Sequence, residues 1–446
     1  MKYGIKVFSV LFAICMLAVG CSESNNAQSE PNIQNEAAET NVNSEVKETE
    51  PEYEEAANFL VDRAQAEFEK AANSSTKYEN FGYSPFAFEL FGKLPTDRNT
   101  VFSPFSIKTA LAIAANGADE EAKAEITKTL SIDDLDAFNE YSRALITAYR
   151  HNFRAEMRVA DSLWLNTDRA ENADFAQNYA ENMMKYYFAP VKKVSQADAE
   201  DKINAWCAEN TNGKITEIAD DGDFYAALLN AVYFKGAWET QFKESATEKS
   251  IFIDRDGNEN EIDFMNMTDG FNYYEEENIK ILSMYYNSFD FENNSPFDNI
   301  VSPVMYIILG NDDRTDVTEC FGKLEYCEVN VSIPKFSFED AENMLPALNS
   351  LGITKVFDKS GNSLSKMFDG EVKDIYLDRV KQKAYIDVNE NGTEAAAVTE
   401  IYAESAEEFE EEPEIKDFIA DRPFTFVIAD DYNKEILFMG EYAYAE

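Results

Sequence analysis

The sequence predicts an α+β fold. Three observations predict it: helical spacing of apolar residues gathers in the first half, strand-like runs gather in the second, and no segment repeats. Of the 446 residues, 45% are hydrophobic, with 33 Phe and 23 Tyr, so a sizeable core can form. The formal net charge of -46 makes a surface that repels nucleic acid and anionic lipid, because every phosphate contact needs a cation that is scarce here.

From the N-terminus, MKYGIK supplies a short positive region and VFSVLFAICMLAVG an apolar stretch too short to span a membrane comfortably. Small residues in LAVGC lead directly to Cys21, a pattern that resembles the bacterial lipoprotein signal. That resemblance implies a signal peptide over residues 1–20 and lipid attachment at Cys21. Residues 21–55 are rich in Ser, Asn, Gln and Glu and cannot bury enough to fold, so an acidic, disordered tether is expected. The folded domain is expected over residues 56–446.

Within it, NFLVDRAQAEFEKAA and SPFAFELFGKL carry helical spacing. SIKTALAIAANGA reads as a buried helix stopping at Gly117, and ADEEAKAEITKTL as an amphipathic surface helix. RVADSLWLN alternates as a strand, ADFAQNYAENMMKYYF returns to helix, and DAEDKINAWCAENTNGKI is a helix closed by Asn212-Gly213. YAALLNAVYFKGAW is apolar throughout and predicts a central strand buried on both faces. KSIFID and ENEIDFMNM around RDGN form a hairpin, YCEVNVSIPKF and QKAYIDVN are strands, ENMLPALNSLG is a short helix, and PFTFVIADDYNKEILFMGEY is a closing hairpin.

The search for an enzyme finds little. His151 is the sole histidine, and nothing around TAYRHNF suggests a nucleophile waiting for its base. No phosphate-binding loop, dinucleotide fingerprint or HExxH is present. DRDGNENE lacks the ligand spacing of a calcium loop and reads as a turn. No metal site or cofactor is expected, and no enzymatic activity. Beyond Cys15 and Cys21, three cysteines remain: Cys207, Cys320 and Cys327. CFGKLEYC can close a small disulfide loop or leave both thiols free.

One stretch resists this ordinary reading. In NGTEAAAVTEIYAES, one strand face would carry Thr393, Ala395, Ala397, Thr399, Ile401 and Ala403. The other would carry Glu394, Ala396, Val398, Glu400, Tyr402 and Glu404. The pattern is that of a half-buried strand, yet it runs straight into AEEFEEEPEIKD, which no packed sheet accommodates. Gly392 in front offers unusual backbone freedom. An edge strand leading into a loop, and a strand able to slip between two others, both satisfy the pattern.

VNENGTEAAAVTE resembles the hinge of the serpin reactive-centre loop, with Glu390, Gly392, Thr393, Ala395, Ala396 and Ala397 in the expected order. TVFSPFSIKTALAIAANGA resembles the family's shutter segment, with Ser103 and Ser106 at its polar positions. LLNAVYFKGAWETQF resembles the segment carrying Asn230 of the shutter and Trp238 of the breach. VNVSIPKFSFEDAENMLPALNSLGITKVFD and FIADRPFTFVIADDYNKEILFMGEY match two further blocks in order, so the resemblance covers roughly Tyr78 to Tyr442. Gln382 takes the shutter position where many members carry His.

The resemblance implies a bacterial, lipoprotein-type serpin: a central mixed β-sheet with surrounding helices and an exposed reactive-centre loop over residues 390–418. It implies a serine protease inhibitor acting as a suicide substrate. The protease cuts the loop, the loop inserts into the central sheet, and the acyl-enzyme is trapped in a covalent complex. Counting from Gly392 places the reactive bond at Ala406-Glu407, with Ser405, Glu404 and Phe409 as alternatives in a lengthened acidic loop. Ala406 suits the small pocket of an elastase-like protease. The expected partners are that protease and, through Cys21, a membrane, for a monomer at the extracellular surface of the cell envelope. The alternative is a non-inhibitory serpin serving as a surface binding lipoprotein. A heparin-type cofactor is not expected, since ADEEAKAEITKTL has no basic surplus.

Overall fold

The structure, a computed structural model, describes residues 83–152, 155–170, 173–219, 222–287, 301–370, 375–393 and 414–445. The chain divides into two units, 1–52 and 53–446, and the described residues all belong to the second. The signal, the tether, Cys21 and the helix expected at NFLVDRAQAEFEKAA lie outside them.

In order, the elements are α1 (Phe86–Phe91), β1 (Thr100–Phe102), α2 (Pro104–Gly117), α3 (Glu120–Thr129), α4 (Leu135–His151), β2 (Ala155–Asn166), α5 (Gln177–Tyr187), β3 (Val191–Val194) and α6 (Ala199–Asn210). Then come β4 (Ala226–Ala237), β5 (Glu248–Ile253), β6 (Glu259–Glu276), β7 (Ile279–Tyr285), β8 (Pro303–Leu309), α7 (Thr318–Phe321), β9 (Glu325–Pro334), β10 (Phe336–Asn343) and α8 (Leu345–Ser350). The chain closes with β11 (Leu377–Asn389), β12 (Gly392–Thr393), β13 (Lys416–Ile419), β14 (Phe424–Asp430) and β15 (Glu435–Tyr442).

Helix starts follow their caps. Ser103, Asp119 and Asp134 accept from the Ser106, Ala122 and Ala137 amides at the heads of α2, α3 and α4. Asn212 and Gly213 take positive φ beyond α6, as the Asn-Gly pair predicts. Asp254 gathers the Asp256 and Asn258 amides and the Asn258 and Asn260 side chains, which makes DRDGNENE the turn of the β5–β6 hairpin. Cys207, Cys320 and Cys327 are free thiols, which closes the disulfide alternative; burial pushes the Cys207 thiol up to about 12.

Two sheets emerge. One has nine strands in the order β1-β15-β14-β8-β7-β6-β9-β13, with β5 on β6. The other runs β10-β11-β12-β4-β2-β3 and is mixed: β4 pairs antiparallel with β2 but parallel with β11. Alternate residues of β2 and β4 face two cores. Val159, Leu163, Leu228 and Val232 join the main core with α2, while Trp164, Leu229 and Ala231 pack with Ile203 and Trp206 of α6.

The division into early helices and late strands is only approximate. Neither β1 and β3, where three or four residues carry no readable period, nor β7 and β8 were singled out in the sequence. The last two have seven residues each, and β8 is buried throughout and so shows no alternation. The helix α4 was passed over too, although it buries Phe138, Tyr141, Leu145 and Tyr149 on one face.

Candidate functional site at the seam of the mixed sheet

Where β4 and β11 meet, the mixed sheet is forked. Between Leu377 and Tyr385 of β11, and Ala226 and Tyr233 of β4, the two strands pair directly. Beyond that point β12 lies between them: Gly392 and Thr393 pair with Ala237 and Gly236 on one side and with Asn389 and Val388 on the other. The chain reverses tightly through Glu390-Asn391, so the hinge returns along the strand it has just left.

Backbone chemistry makes Gly392 obligatory there. Its φ is +149°, and a Cβ would lie 2.0 Å from the Gly236 carbonyl oxygen and 2.7 Å from Ala237 Cα. Thr393 is buried and shares a hydrogen bond of 2.6 Å with the Tyr286 hydroxyl. Trp238 stacks on that tyrosine, with ring centroids 4.5 Å apart and planes 20° apart. Its indole Nε1 donates to the Asn389 carbonyl at 2.9 Å, and its backbone N–H donates to Asn391 O. Glu390 is fastened separately: Lys335 reaches it at 2.9 Å, the Thr247 hydroxyl donates to it at 2.7 Å, and the Phe242 amide donates to its carbonyl. Burial alone would raise the Glu390 carboxyl, but the bonds from Thr247 and Lys335 outweigh it and hold the group below the usual range.

Further down the seam lies a buried polar cluster. Asp161 of β2, Asn230 of β4 and Gln382 of β11 are register partners across three adjacent strands, over the head of α2. Gln382 Oε1 accepts from the Ser103 amide at 2.8 Å, while its Nε2 donates to Ser103 O at 3.2 Å and to Asn230 Oδ1 at 2.7 Å. Asn230 Nδ2 in turn donates to Ser106 Oγ and, at 2.6 Å, to Asp161 Oδ1. Thr109 donates to Asp161 Oδ2 at 2.7 Å. The Ser103 hydroxyl donates to Leu437 O of β15, so the cluster ties the mixed sheet to the second sheet through α2. One turn along α2, Lys108 forms a buried ion pair with Glu435 at 2.9 Å, and Tyr141 donates to the same carboxylate.

Ser103, Ser106, Asn230 and Gln382 thus converge in one place, while Glu390, Gly392, Thr393 and Trp238 converge at the fork. The expected exposed loop of residues 390–418 is corrected at both ends: Glu390 is buried and Gly392–Thr393 form β12, while Lys416, Asp417 and Phe418 pair with β9 as part of β13. Ala395, Ala396, Ala397, Ala406 and Glu407 lie outside the described residues. Sequence reasoning missed Asp161, Thr109, Tyr286 and Lys335. For Asp161 the signal was present: it is an acid set inside the strand VADSLWLN. Tyr286 and Lys335 have no local signal, since only folding brings them to the hinge.

A profile of the serpin family, described as serine protease inhibitor, matches residues 82–444. An uncharacterized serpin-like protein of Methanosarcina mazei is 29% identical over 81% of this chain and 86% of its own. The leukocyte elastase inhibitor of Xenopus tropicalis is also 29% identical, over 80% of this chain and 97% of its own. Among solved structures, the thermophilic serpin tengpin in its native state superimposes with a TM-score of 0.70 at 27% identity, covering 83% of this chain and 94% of that one. These findings correct the ground of the expectation of no enzymatic activity, which was the lone histidine and the missing phosphate-loop, dinucleotide and HExxH motifs. The matched family is described by inhibition of serine proteases, so the chain's class rests on that description and the missing motifs decided nothing. The central mixed sheet, the hinge and the family match agree, and the chain belongs to the serpin family.

Proposed function

We propose that this chain is a suicide-substrate inhibitor whose reactive loop, once cut by an elastase-like serine protease, inserts along the β4–β11 seam and carries the acyl-enzyme with it. The observation that carries this reading is the fork, where two hinge residues already act as a strand between β4 and β11. Continuing that ladder predicts the inserted register. Six steps past Thr393 lies Thr399, opposite Asn230 on β4 and opposite Gln382 on β11. Asn230 and Gln382 are themselves partners today, so both counts meet at the same point. Thirteen steps past Thr393 lies Ala406, three positions beyond Ala226 at the far end of β4. A protease esterified to Ala406 would therefore be drawn to the opposite pole of the sheet.

The energetics have the required sign. Insertion replaces one β4–β11 ladder of eight paired positions with two ladders flanking the new strand. The net gain is one ladder, about 8 kcal/mol at about 1 kcal/mol per hydrogen bond, before burial of the small apolar face is counted. The uninserted state is then held by kinetics. Ala406 as the acyl-side residue supports an elastase-like target, as does the likeness to an elastase inhibitor. LAVGC supports a lipid anchor at Cys21, which would hold a monomeric inhibitor at the outer cell surface.

Mixing the protein with an elastase-like protease and running a denaturing gel tests this reading. A covalent complex that survives denaturant, with cleavage after Ala406 by mass spectrometry, is expected. Clean cleavage without complex would replace it with the non-inhibitory reading.

A further inference from the structure

The seam cluster has a direction. The Ser103 amide can only donate, so it fixes Gln382 with Oε1 toward α2 and Nε2 toward β4. That nitrogen fixes Asn230 Oδ1 toward β11 and turns Asn230 Nδ2 toward β2. The relay then needs an acceptor on β2, and Asp161 Oδ1 supplies it at 2.6 Å. At the other oxygen the count of hydrogens is short. Thr109 Oγ1 stands 2.8 Å from Ser106 O and 2.7 Å from Asp161 Oδ2, and a hydroxyl has one hydrogen for two acceptors. A proton on Asp161 Oδ2 would satisfy both contacts: Asp161 would donate to Thr109, and Thr109 to Ser106.

We propose that Asp161 is the positioning residue that fixes the polarity of the β4–β11 latch, and that a proton on its Oδ2 sets how firmly the latch keeps the seam shut. The inference rests on loop insertion along this seam. Burial favours the proton on Asp161, and the titratable groups around it do not overcome burial. Arg150 of α4 acts on it through space, but its guanidinium donates to Val159 O and lies over the Phe188 ring. Burial lowers Arg150 to about 10, which leaves it charged at neutral pH. Tyr187 of α5 is buried and neutral, its phenol raised well above the usual range by burial. From α2 and its cap, β4 and β11 the side chains that meet the cluster are uncharged: Ser103, Ser106, Thr109, Asn230 and Gln382. Burial lifts the Asp161 carboxyl to about 7, against the bonds from Thr109 and Asn230 and the charge of Arg150.

The sign follows from linkage. A carboxyl raised in the closed sheet favours closure at low pH. That contribution is lost as pH climbs from the ordinary value of 3.8 to about 7, and is constant above. Opening the seam admits water and favours the ionised form, so opening should become easier, by up to about tenfold per pH unit, until that plateau.

The test uses the whole chain and a synthetic peptide with the sequence of residues 394–405, whose annealing into the sheet is followed on native gels from pH 5.5 to 8.5. The wild type should anneal faster with rising pH and level off near 7. Asp161→Asn keeps the acceptor and supplies a permanent hydrogen toward Thr109, so it should stay slow and lose the step. Asp161→Leu removes the acceptor and should be fast at every pH. A wild-type step retained by Asp161→Asn would overturn the proton, and an Asp161→Leu protein as slow as Asp161→Asn would overturn the positioning role. Should Asp161→Leu fail to fold, Thr109→Val removes a donor to the ionised carboxylate and should move the step to higher pH; an unmoved step refutes the assignment. If no variant anneals peptide, loop insertion itself fails. The denaturant midpoint of the intact protein, compared with Asp161→Asn over the same pH range, then still decides the proton.

Discussion

Replacing Gly392 by Ala should turn an inhibitor into a substrate, and the structure sets the scale. A Cβ at φ +149° costs about 1–3 kcal/mol in backbone strain alone. It would also sit 2.0 Å from Gly236 O and 2.7 Å from Ala237 Cα, both backbone atoms of β4 that cannot yield without breaking the sheet. The cheaper escape is to eject β12. That forfeits its two paired positions on β4 and the Thr393–Tyr286 hydrogen bond, about 3 kcal/mol at about 1 kcal/mol each. A Cβ strain above that figure, which is about two decades at 1.4 kcal/mol per decade, leaves the fork mostly empty. Insertion must then start from a loop that has lost its place, while deacylation proceeds at its own rate. The assay is titration of the target protease with the inhibitor: the stoichiometry should rise steeply and cleaved, uncomplexed protein should accumulate. Thermal unfolding should change little, because the fork sits at the end of the sheet. An unchanged stoichiometry would refute the claim that the strand seen at Gly392-Thr393 is the start of insertion.

Other positions test the same account. Thr393→Arg should abolish complex formation while leaving cleavage intact, since the side chain is buried against Tyr286; complexes at the wild-type level on a denaturing gel would contradict it. Thr399→Arg should act similarly but later, stalling a strand that has passed the fork at the level of Asn230 and Gln382, so limited proteolysis should find the upper part of the loop protected and the lower part open. Lys108→Met leaves Glu435 buried without its cation and should cost about 3–5 kcal/mol, measured as a fall in the denaturant midpoint, whereas Lys108→Met with Glu435→Leu should recover most of the loss. Cys21→Ala should move the protein from the membrane fraction to the medium, and retention in membranes would remove the lipid anchor.

The sequence made the long elements legible for physical reasons. The strand Ala226–Ala237 is buried throughout except near Lys235, and such a run has few other places to go. The helix Pro104–Gly117 begins at a serine cap with proline behind it and is buried along nearly its whole length. The candidate site was legible only by resemblance. Ser103 and Gln382 are 279 positions apart and Asn230 and Gln382 are 152 apart, and no local period relates them. Asp161 was the exception that could have been found, because an ionisable residue on the inward face of a buried strand needs partners there. Its partners could not have been named: Thr109 sits in an apolar helix where it reads as a tolerated small residue.

The use of polar side chains at this seam has a consequence for rate. Apolar side chains joining β4 and β11 at mid-sheet would make no directional bonds that must break before the strands part. Gln382 instead makes three hydrogen bonds, to Ser103 twice and to Asn230 once, worth about 3 kcal/mol net. Water can replace each of them as the seam parts, and in the inserted register the Thr399 hydroxyl arrives between the same two side chains. The latch is therefore weaker than the ladder of about 8 kcal/mol that the proposed insertion would gain, yet it would have to break before any of that gain is realised. A bond network that is lost early and regained late raises the barrier while leaving the end states nearly untouched. It follows that substitutions at Asn230 or Gln382 should change how fast the sheet opens far more than how stable the inserted form becomes, and Gln382→Leu should anneal the 394–405 peptide faster while the annealed product unfolds at an unchanged temperature.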